Sequence, residues 1–289
     1  DRQQLGGKRT KVGHFGTLDP FATGVLPVAF GNATRLANYV QLEPKEYVAR
    51  LTLGRATDTA DVKGAVIREA PVPRLDIDAI NKLCQERFTG KVQQVPPRYS
   101  AVHVNGERAY ELARSNKDFE MPKRTVRINS ISCSLPTDGT RDAIDVTVVC
   151  GAGTYIRSLG EDIATALGTC GYVETLRRTR SGMFYSSSPG LYTTEQLLGH
   201  FPGIHSGLPL SAALNRICSG KSLNWLHRSG KPTNKGAKFE PGVYTLYAEG
   251  IPLALIEFAR SATARSSSGR AAGTFHYVVN FYGSLQLSA

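Results

Sequence analysis

Hydrophobic and polar residues alternate along positions 45–53 and again along positions 144–150. A repeat of two residues is typical of strands with one buried face, so both segments predict strands. Apolar residues spaced three or four apart over positions 76–89 predict a helix. A second helix is predicted to begin near Ser158, which forms a capping-box pattern with Glu161. This mixture of strands and helices predicts an α+β fold.

The last third of the chain differs in composition. Serine, proline and glycine are frequent over positions 185–190, and a second loose stretch spans positions 199–207. We therefore predict two domains, residues 1–204 and residues 205–289. The second domain is predicted to contain a helix at 210–218, a hairpin of strands at 242–247 and 251–258, a flexible basic loop at 261–273 and a strand at 275–281.

The chain is basic. Its 35 Lys and Arg residues and 24 Asp and Glu residues give a formal net charge of +11 at pH 7. An excess of this size favours a polyanionic partner, RNA or DNA before a membrane surface, because contacts with phosphates supply much of such binding. The alternative is a protein that is basic without binding a nucleic acid, and net charge alone does not exclude it.

Cysteine and histidine usage argues against disulfide and metal chemistry. The five cysteines are scattered without a C-x-x-C pair, and the six histidines form no ligand-spaced pair. This pattern predicts a reducing compartment and no zinc site. We expect neither a membrane-spanning helix, which needs an apolar run of about 18 residues, nor a signal peptide. No phosphate-binding or dinucleotide-binding loop is found.

The first candidate for chemistry is a single carboxylate near the start of the chain. Asp19 directly precedes Pro20, which favours extended backbone and disfavours a helix at that point. Gly13 and Gly16 come shortly before it, so the chain can bend there or approach a ligand closely. The apolar segment 21–28 can anchor this turn in a core. A plain Asp-Pro turn is the alternative.

The second candidate is Arg157, which lies where a predicted strand and turn lead into the second helix. A cation at a helix N-terminus is unfavourable because that end already carries partial positive charge. A carboxylate partner would offset this misfit, and Asp19 is the obvious choice. The acidic loop at 55–64 also offers Asp58 and Asp61, but two carboxylates are too few for a metal site.

The string GHFGTLDPFATGVLPVAFGNATR resembles the signature of the TruB-type tRNA pseudouridine synthases. Other motifs of that family follow in its order: K-x-Y-x-A at 45–49, T-D-T-x-D-x-x-G at 57–64, Q-x-P-P-x-Y-S-A at 94–101, G-T-Y-I-R at 153–157 and L-R-R-x-x-x-G at 176–182. A Lys-Pro-x-Gly-like motif, with which such enzymes usually begin, is not found. We therefore expect the sheet to lack its first strand, or that segment to lie outside the sequence.

The resemblance implies a site built around Asp19 as the catalytic residue, with Arg157 as its carboxylate partner. Tyr47 would stack on the target base, although a tyrosine on the apolar face of a strand is more often part of a core. His14 would fill the space that the base leaves, with a buried structural histidine as the alternative. The remaining residues that the resemblance assigns are Tyr155 and Leu176 in the base pocket and Lys45 and Asp58 in supporting roles.

Basic residues beside these motifs are expected to contact the RNA backbone. The family's L-R-R element supplies Arg177, Arg178 and Arg180, and the polar N-terminal segment supplies Lys11. A solvated charge run is the alternative reading of this cluster.

The activity that the resemblance implies is isomerisation of an RNA uridine to pseudouridine, without cofactor or metal. The signature favours the T-loop uridine of tRNA (position 55), while related RNA-guided enzymes modify ribosomal RNA. The implied fold is a largely antiparallel sheet flanked by helices, followed by a PUA-like module. We expect a monomer with RNA as its partner, in the bacterial cytoplasm or the mitochondrial matrix.

Two other classes compete with this interpretation. A non-catalytic RNA-binding or ribosome-assembly factor that keeps the synthase fold would bind RNA without turnover, as a component of a larger ribonucleoprotein. A small-molecule enzyme with a basic surface would lack RNA affinity that falls with salt.

Overall fold

The computed structural model describes residues 11–38, 42–115, 118–182, 184–187, 222–224, 242–248, 251–265 and 271–280. The chain divides into two compact units. The larger unit comprises Gly16–Pro27 and Gln41–Pro189, and the smaller comprises Asp1–Phe15, Val28–Val40 and Gly190–Ala289. The predicted domain boundary at 204/205 lies outside the described residues.

The helices and strands are numbered in chain order. The helices are α1 (Ile77–Phe88), α2 (Ala109–Arg114) and α3 (Ile156–Ala166), and a 3-10 helix spans Gly31–Asn38. The strands are β1 (Val12–His14), β2 (Thr23–Gly24), β3 (Val28–Phe30), β4 (Lys45–Leu53), β5 (Arg55–Thr57), β6 (Val66–Glu69), β7 (Gly90–Gln94), β8 (His103–Val104), β9 (Glu107–Arg108), β10 (Arg124–Ser134), β11 (Ala143–Cys150), β12 (Gly171–Ser181), β13 (Phe184–Tyr185), β14 (Ser222–Asn224), β15 (Gly242–Ala248), β16 (Ile251–Arg265) and β17 (Ala271–Asn280).

A central sheet organises the larger unit. Its strands run in the order β13-β12-β4-β11-β10-β7, every neighbouring pair is antiparallel, and β2 joins β12 in parallel. The two strands predicted from alternation, 45–53 and 144–150, are confirmed as β4 and the greater part of β11. All of β11 pairs with residues 45–52 of β4, with Tyr47 opposite Val148 and Leu51 opposite Ile144.

The helices α1 and α3 contribute their apolar residues to the core on one face of this sheet. Asp76 caps α1 by accepting from two backbone N–H groups, and the helix predicted over 76–89 is confirmed. The predicted capping box at Ser158 is wrong, because α3 begins earlier and its N-cap is Tyr155, without a side-chain cap. The Ser158 hydroxyl instead donates to the Val95 carbonyl oxygen at 2.6 Å.

Close packing of α3 against the sheet depends on a glycine. A Cβ atom at Gly160 would lie 3.0 Å from Leu51 Cδ1 and 3.1 Å from Val173 Cγ2. The first turn of α3, which contains Arg157, is therefore held close to β4 and β12. The architecture confirms the predicted α+β class.

The smaller unit contains the antiparallel pair β1–β3 and a four-stranded sheet in the order β14-β15-β16-β17. The predicted hairpin is confirmed, with Ala248 of β15 opposite Ile251 of β16. The predicted loop over 261–273 is wrong at both ends, because β16 continues to Arg265 and β17 begins at Ala271. The helix predicted at 210–218 lies outside the described residues.

Candidate active site

The loop that carries Asp19 is anchored to β12. The Asp19 carbonyl oxygen accepts from Ala22 N–H at 2.9 Å, which closes the turn through Pro20, and Val25 N–H donates to the Arg178 carbonyl oxygen at 2.9 Å. Gly24 between them has φ of +105°, and a Cβ there would lie 2.1 Å from that same oxygen. A side chain at this position is therefore excluded unless the loop leaves the strand.

Arg157 binds the Asp19 carboxylate through two parallel hydrogen bonds. Arg157 Nε donates to Oδ2 and Arg157 Nη2 to Oδ1, both at 2.9 Å. The Arg157 side chain is 4% exposed, whereas that of Asp19 is 29% exposed. The sheet and helix thus bury the cation and leave its carboxylate open to solvent, where a substrate can reach it. This two-point geometry fixes the orientation of the carboxylate as well as its charge.

Arg157 also binds two backbone carbonyl groups. Nη1 donates to the Thr59 oxygen at 2.9 Å, and Nη2 donates to the Tyr99 oxygen at 3.0 Å. The acceptors belong to the T-D-T loop and to the segment after the double proline, so the guanidinium joins separate parts of the chain to α3. An arginine is suited to this task because its N–H groups form a planar fork.

Asp61 is a second carboxylate beside Arg157, whereas the sequence interpretation had named it only as part of the acidic loop. Its Oδ2 lies 3.5 Å from Arg157 Nη1, and its side chain is 10% exposed. Its Oδ1 accepts from the Thr59 hydroxyl at 2.8 Å and from Lys63 N–H at 2.9 Å. Two carboxylates therefore share one guanidinium, and the loop that carries Asp61 is fixed by its own side chains.

Asp58, the residue chosen from this loop by the resemblance, has a different place. It is exposed, and its Oδ1 accepts from Ala65 N–H at 2.9 Å. Its contact closes the loop on itself and does not reach Arg157. The supporting role of Asp58 stays a prediction, and the carboxylate of this loop that lies beside Arg157 is that of Asp61.

Tyr47, Leu176 and Lys45 lie on the face of the sheet that the Asp19 loop covers. Tyr47 is 7% exposed and Leu176 5% exposed. Burial raises the pKa of the Tyr47 hydroxyl, and the Arg178 guanidinium opposes this through its charge and a hydrogen bond. Burial, followed by repulsion from Arg178, lowers the pKa of the Lys45 amine. The phenol is therefore neutral at neutral pH, beside a cationic neighbour.

The predicted contact of Arg178 with RNA is wrong. Its side chain is 0% exposed and points beneath the Asp19 loop. Its guanidinium donates to the carbonyl oxygens of Val25 at 2.8 Å, Gly16 at 3.1 Å and Thr17 at 3.3 Å. A buried side chain bound to backbone cannot meet a phosphate. The neighbouring Arg177 is exposed, as an RNA contact requires.

The remaining predicted residues lie at the edges of this arrangement. Tyr155 is half-buried, and its backbone N–H and carbonyl groups bind the side-chain amide of Gln94. Arg180 Nε donates to the Gly182 oxygen at 2.8 Å, and its guanidinium lies 4.7 Å from the centre of the Tyr185 ring.

His14 and Lys11 belong to the smaller unit. His14 ends β1 opposite Val28, and both His14 and Lys11 are exposed. The alternative of a buried structural histidine is therefore wrong. The functions predicted for these two residues stay predictions.

Within the described ranges, no group of three or more His, Cys, Asp or Glu side chains could hold a metal ion. No helix in the same part of the chain is long and apolar enough to cross a membrane. What the site offers is one accessible carboxylate, held by a buried guanidinium, next to a buried aromatic ring.

Comparison with known proteins identifies two matching families. Residues 2–156 match the TruB family pseudouridylate synthase (N terminal domain), and residues 157–202 match the tRNA pseudouridylate synthase B C-terminal domain. A tRNA pseudouridine synthase B of Rhodospirillum rubrum is 40% identical over 261 residues, which covers 85% of this chain and 83% of that protein. One of Microcystis aeruginosa is 44% identical over 223 residues, covering 76% of this chain and 74% of that protein.

Among solved structures, the chain is similar to one in the crystal structure of a Cbf5-Nop10-Gar1 complex. The TM-score is 0.57 at 23% sequence identity, and the match covers 94% of this chain and 77% of that chain. This likeness concerns the fold alone.

Proposed function

Because this chain belongs to the TruB family of pseudouridylate synthases, we propose that it isomerises uridine to pseudouridine in tRNA, at the T-loop uridine (position 55), with Asp19 as its catalytic residue. The observation that carries the assignment of Asp19 is its two-point pairing with buried Arg157, which leaves the carboxylate itself partly exposed. The relatives named above are bacterial proteins. If this chain is also bacterial, the proposed compartment is the cytoplasm.

The reaction exchanges one bond to ribose for another. The N1–C1′ bond of uridine breaks, the uracil turns, and a C5–C1′ bond forms. C5 loses its proton and N1 gains one, so that atoms and electrons balance without a redox partner. The proposed step for Asp19 is attack or proton removal, as nucleophile or as base, and both need an ionised carboxylate. The Arg157 guanidinium stabilises that charge and keeps the carboxylate oriented.

The target base must leave its stack to reach Asp19. Extruding a nucleotide from folded RNA is unfavourable by a few kcal/mol, and stacking on an aromatic side chain returns about 1–3 kcal/mol per base. Tyr47 is proposed as the stacking partner, with Leu176 and Tyr155 completing an apolar pocket. The register favours this grouping, because Arg178 and Leu176 of β12 lie opposite Tyr47 and Ala49 of β4.

Backbone binding is proposed for Arg177, Arg180 and Lys11. Arg177 and Lys11 are both exposed, and Arg180 lies on the same strand as Arg177. Together with the net charge of +11, they would bind tRNA with an affinity that falls as salt is raised. The set of Asp19, Tyr47 and Arg157 gives the non-catalytic alternative no specific support, since a mere binding factor does not need a paired, accessible carboxylate.

The proposed function is tested by turnover on defined RNA. Unmodified tRNA transcript carrying tritium at C5 of uridine is incubated with the protein, and tritium released to water is counted. The matched control is the same transcript with cytidine at position 55. Release from the first transcript and not from the second is expected. Binding of both RNAs without release from either would assign the protein to the non-catalytic class.

A further inference from the structure

Arg178 places a positive charge in the interior of the larger unit, where no reaction step described above uses it. Its side chain is 0% exposed. Within the described part of the chain, no carboxylate forms a salt bridge with it. A buried cation without a counter-charge is strongly unfavourable unless other groups take the place of water. The buried Arg178 guanidinium therefore depends on protein groups that accept its hydrogen bonds in place of water.

The replacement comes from the two arms of the Asp19 loop. The guanidinium binds the carbonyl oxygens of Gly16 and Thr17, which precede Asp19, and that of Val25, which follows it. The Arg178 backbone oxygen accepts from Val25 N–H on the same side. One residue of β12 thus holds both ends of the loop, and the position of the carboxylate between them follows from these bonds.

Arg178 also faces Tyr47 across the strand pair. The two residues are opposite each other in the register of β12 and β4, and the guanidinium interacts with the phenol through its charge and a hydrogen bond. The same side chain therefore contacts the backbone around the catalytic carboxylate and the ring proposed to stack on the base. Arg157 differs from it, because its side-chain bonds reach Asp19 and the carbonyl oxygens of Thr59 and Tyr99.

We propose that Arg178 is a positioning residue that sets the place of Asp19 relative to Tyr47 without touching the substrate. The inference rests on the proposed function, since it concerns the same reaction. It follows that a positive charge at position 178 is not by itself sufficient to hold the Asp19 loop. Lysine carries that charge on one nitrogen, whereas three carbonyl oxygens in different directions require the planar fork of arginine. Loss of the fork would move the loop while leaving the RNA-facing surface unchanged.

The test compares Arg178→Lys and Arg178→Gln with wild type under single-turnover conditions, using the tritium-release assay. The lysine variant keeps the buried positive charge but cannot bind all three carbonyl oxygens. The glutamine variant removes the charge, so it leaves no buried cation with too few acceptors. The matched control is Arg50→Lys, because Arg50 also holds its neighbours through several side-chain bonds on the same sheet but lies outside the site. Circular dichroism melting curves establish which variants are folded at the assay temperature.

A folded Arg178 variant is expected to convert bound tRNA about 100-fold more slowly, because a displacement of about 1 Å has an effect of this size. Its dissociation constant for tRNA should stay within about twofold of wild type, and Arg50→Lys should retain the wild-type rate. A merely structural role would lower the melting temperature but leave the rate of the folded fraction unchanged, and that result would overturn the proposal.

Two other outcomes are decisive. If both Arg178 variants are unfolded while Arg50→Lys is folded, the residue serves the fold and the proposal is wrong. If wild type itself releases no tritium, the proposed function fails before the inference is reached, so the two failures are distinguishable.

Discussion

The pairing of Asp19 with Arg157 predicts a measurable coupling between the two side chains. The perturbation is a double-mutant cycle on stability with Asp19→Asn, Arg157→Gln and the double variant. The Arg157 bond to the Thr59 carbonyl and its ion pair with Asp61 are lost in both variants that lack the arginine. They therefore cancel in the cycle, which isolates the Asp19 pair.

The magnitude follows from the geometry. With N···O distances of 2.9 Å, the charges lie about 4 Å apart and attract by about 4 kcal/mol at an effective dielectric constant of about 20. Asp19 is 29% exposed and Arg157 4% exposed, so solvent screens one partner and burial opposes the charge of the other. We expect a coupling free energy of about 2–3 kcal/mol, between the values for exposed and for buried pairs.

The assay is urea unfolding followed by circular dichroism, with the transition of the larger unit identified as the one that Leu51→Ala shifts. Leu51 is 1% exposed in the core of that unit. A matched control is the exposed pair Arg55–Glu69, with side chains 62% and 69% exposed, where the same cycle should give less than about 1 kcal/mol. A coupling for Asp19 and Arg157 no larger than that control would refute the reasoning.

Three further predictions follow from single residues. Gly24→Ala should slow turnover about 100-fold by detaching the Asp19 loop, whereas Gly139→Ala, also at positive φ but with open space around it, should not; equal rates would contradict the anchoring of the loop. Asp61→Asn should lower kcat roughly tenfold, about 1.4 kcal/mol of barrier, and Asp58→Asn less; the reverse order would contradict the site geometry. Burial raises the pKa of Glu161, so the stabilising contribution of this side chain is complete below its unfolded pKa and is lost as pH rises through its folded pKa. Glu161→Gln should therefore have a higher melting temperature than wild type at pH 7, and this difference should disappear near pH 4. A difference that does not change with pH would contradict this.

Local periodicity predicted those parts of the fold that depend on one face being buried. Residues 45–53 form a strand because alternate side chains enter the core, and residues 77–88 form a helix because Ile80, Cys84 and Phe88 do so on one stripe. The start of α3 could not be predicted in this way, because its N-cap at Tyr155 is held by the distant Gln94 side chain.

The misassigned arginine has a physical explanation in the same periodicity. Leu176 was expected in a pocket, and in a strand a residue two positions on shares its face. Arg178 therefore belongs to the buried side and Arg177 to the exposed side, but three arginines close together suggested a uniformly basic surface. Strand alternation would therefore have separated buried Arg178 from exposed Arg177, had the segment been interpreted as a strand.

The pairing of Asp19 with Arg157 was predictable from the sequence, whereas the second carboxylate beside Arg157 was not. Arg157 at a helix N-terminus signals a missing counter-charge, and Asp19 supplies it at 2.9 Å. The choice between Asp58 and Asp61 depends on how the loop closes, through Ala65 N–H in one case and Lys63 N–H in the other. Such closure cannot be deduced from composition.

The central claim is that Asp19 performs the chemistry, and pseudouridine formation in unmodified tRNA by wild type and Asp19→Asn tests it most directly. The control is Asp76→Asn, which keeps an N-cap residue on α1 and should leave the rate unchanged. With RNA binding retained, we predict product from wild type and a rate at least about 1000-fold lower for Asp19→Asn, ~4 kcal/mol of barrier. Equal rates for wild type and Asp19→Asn would contradict the account.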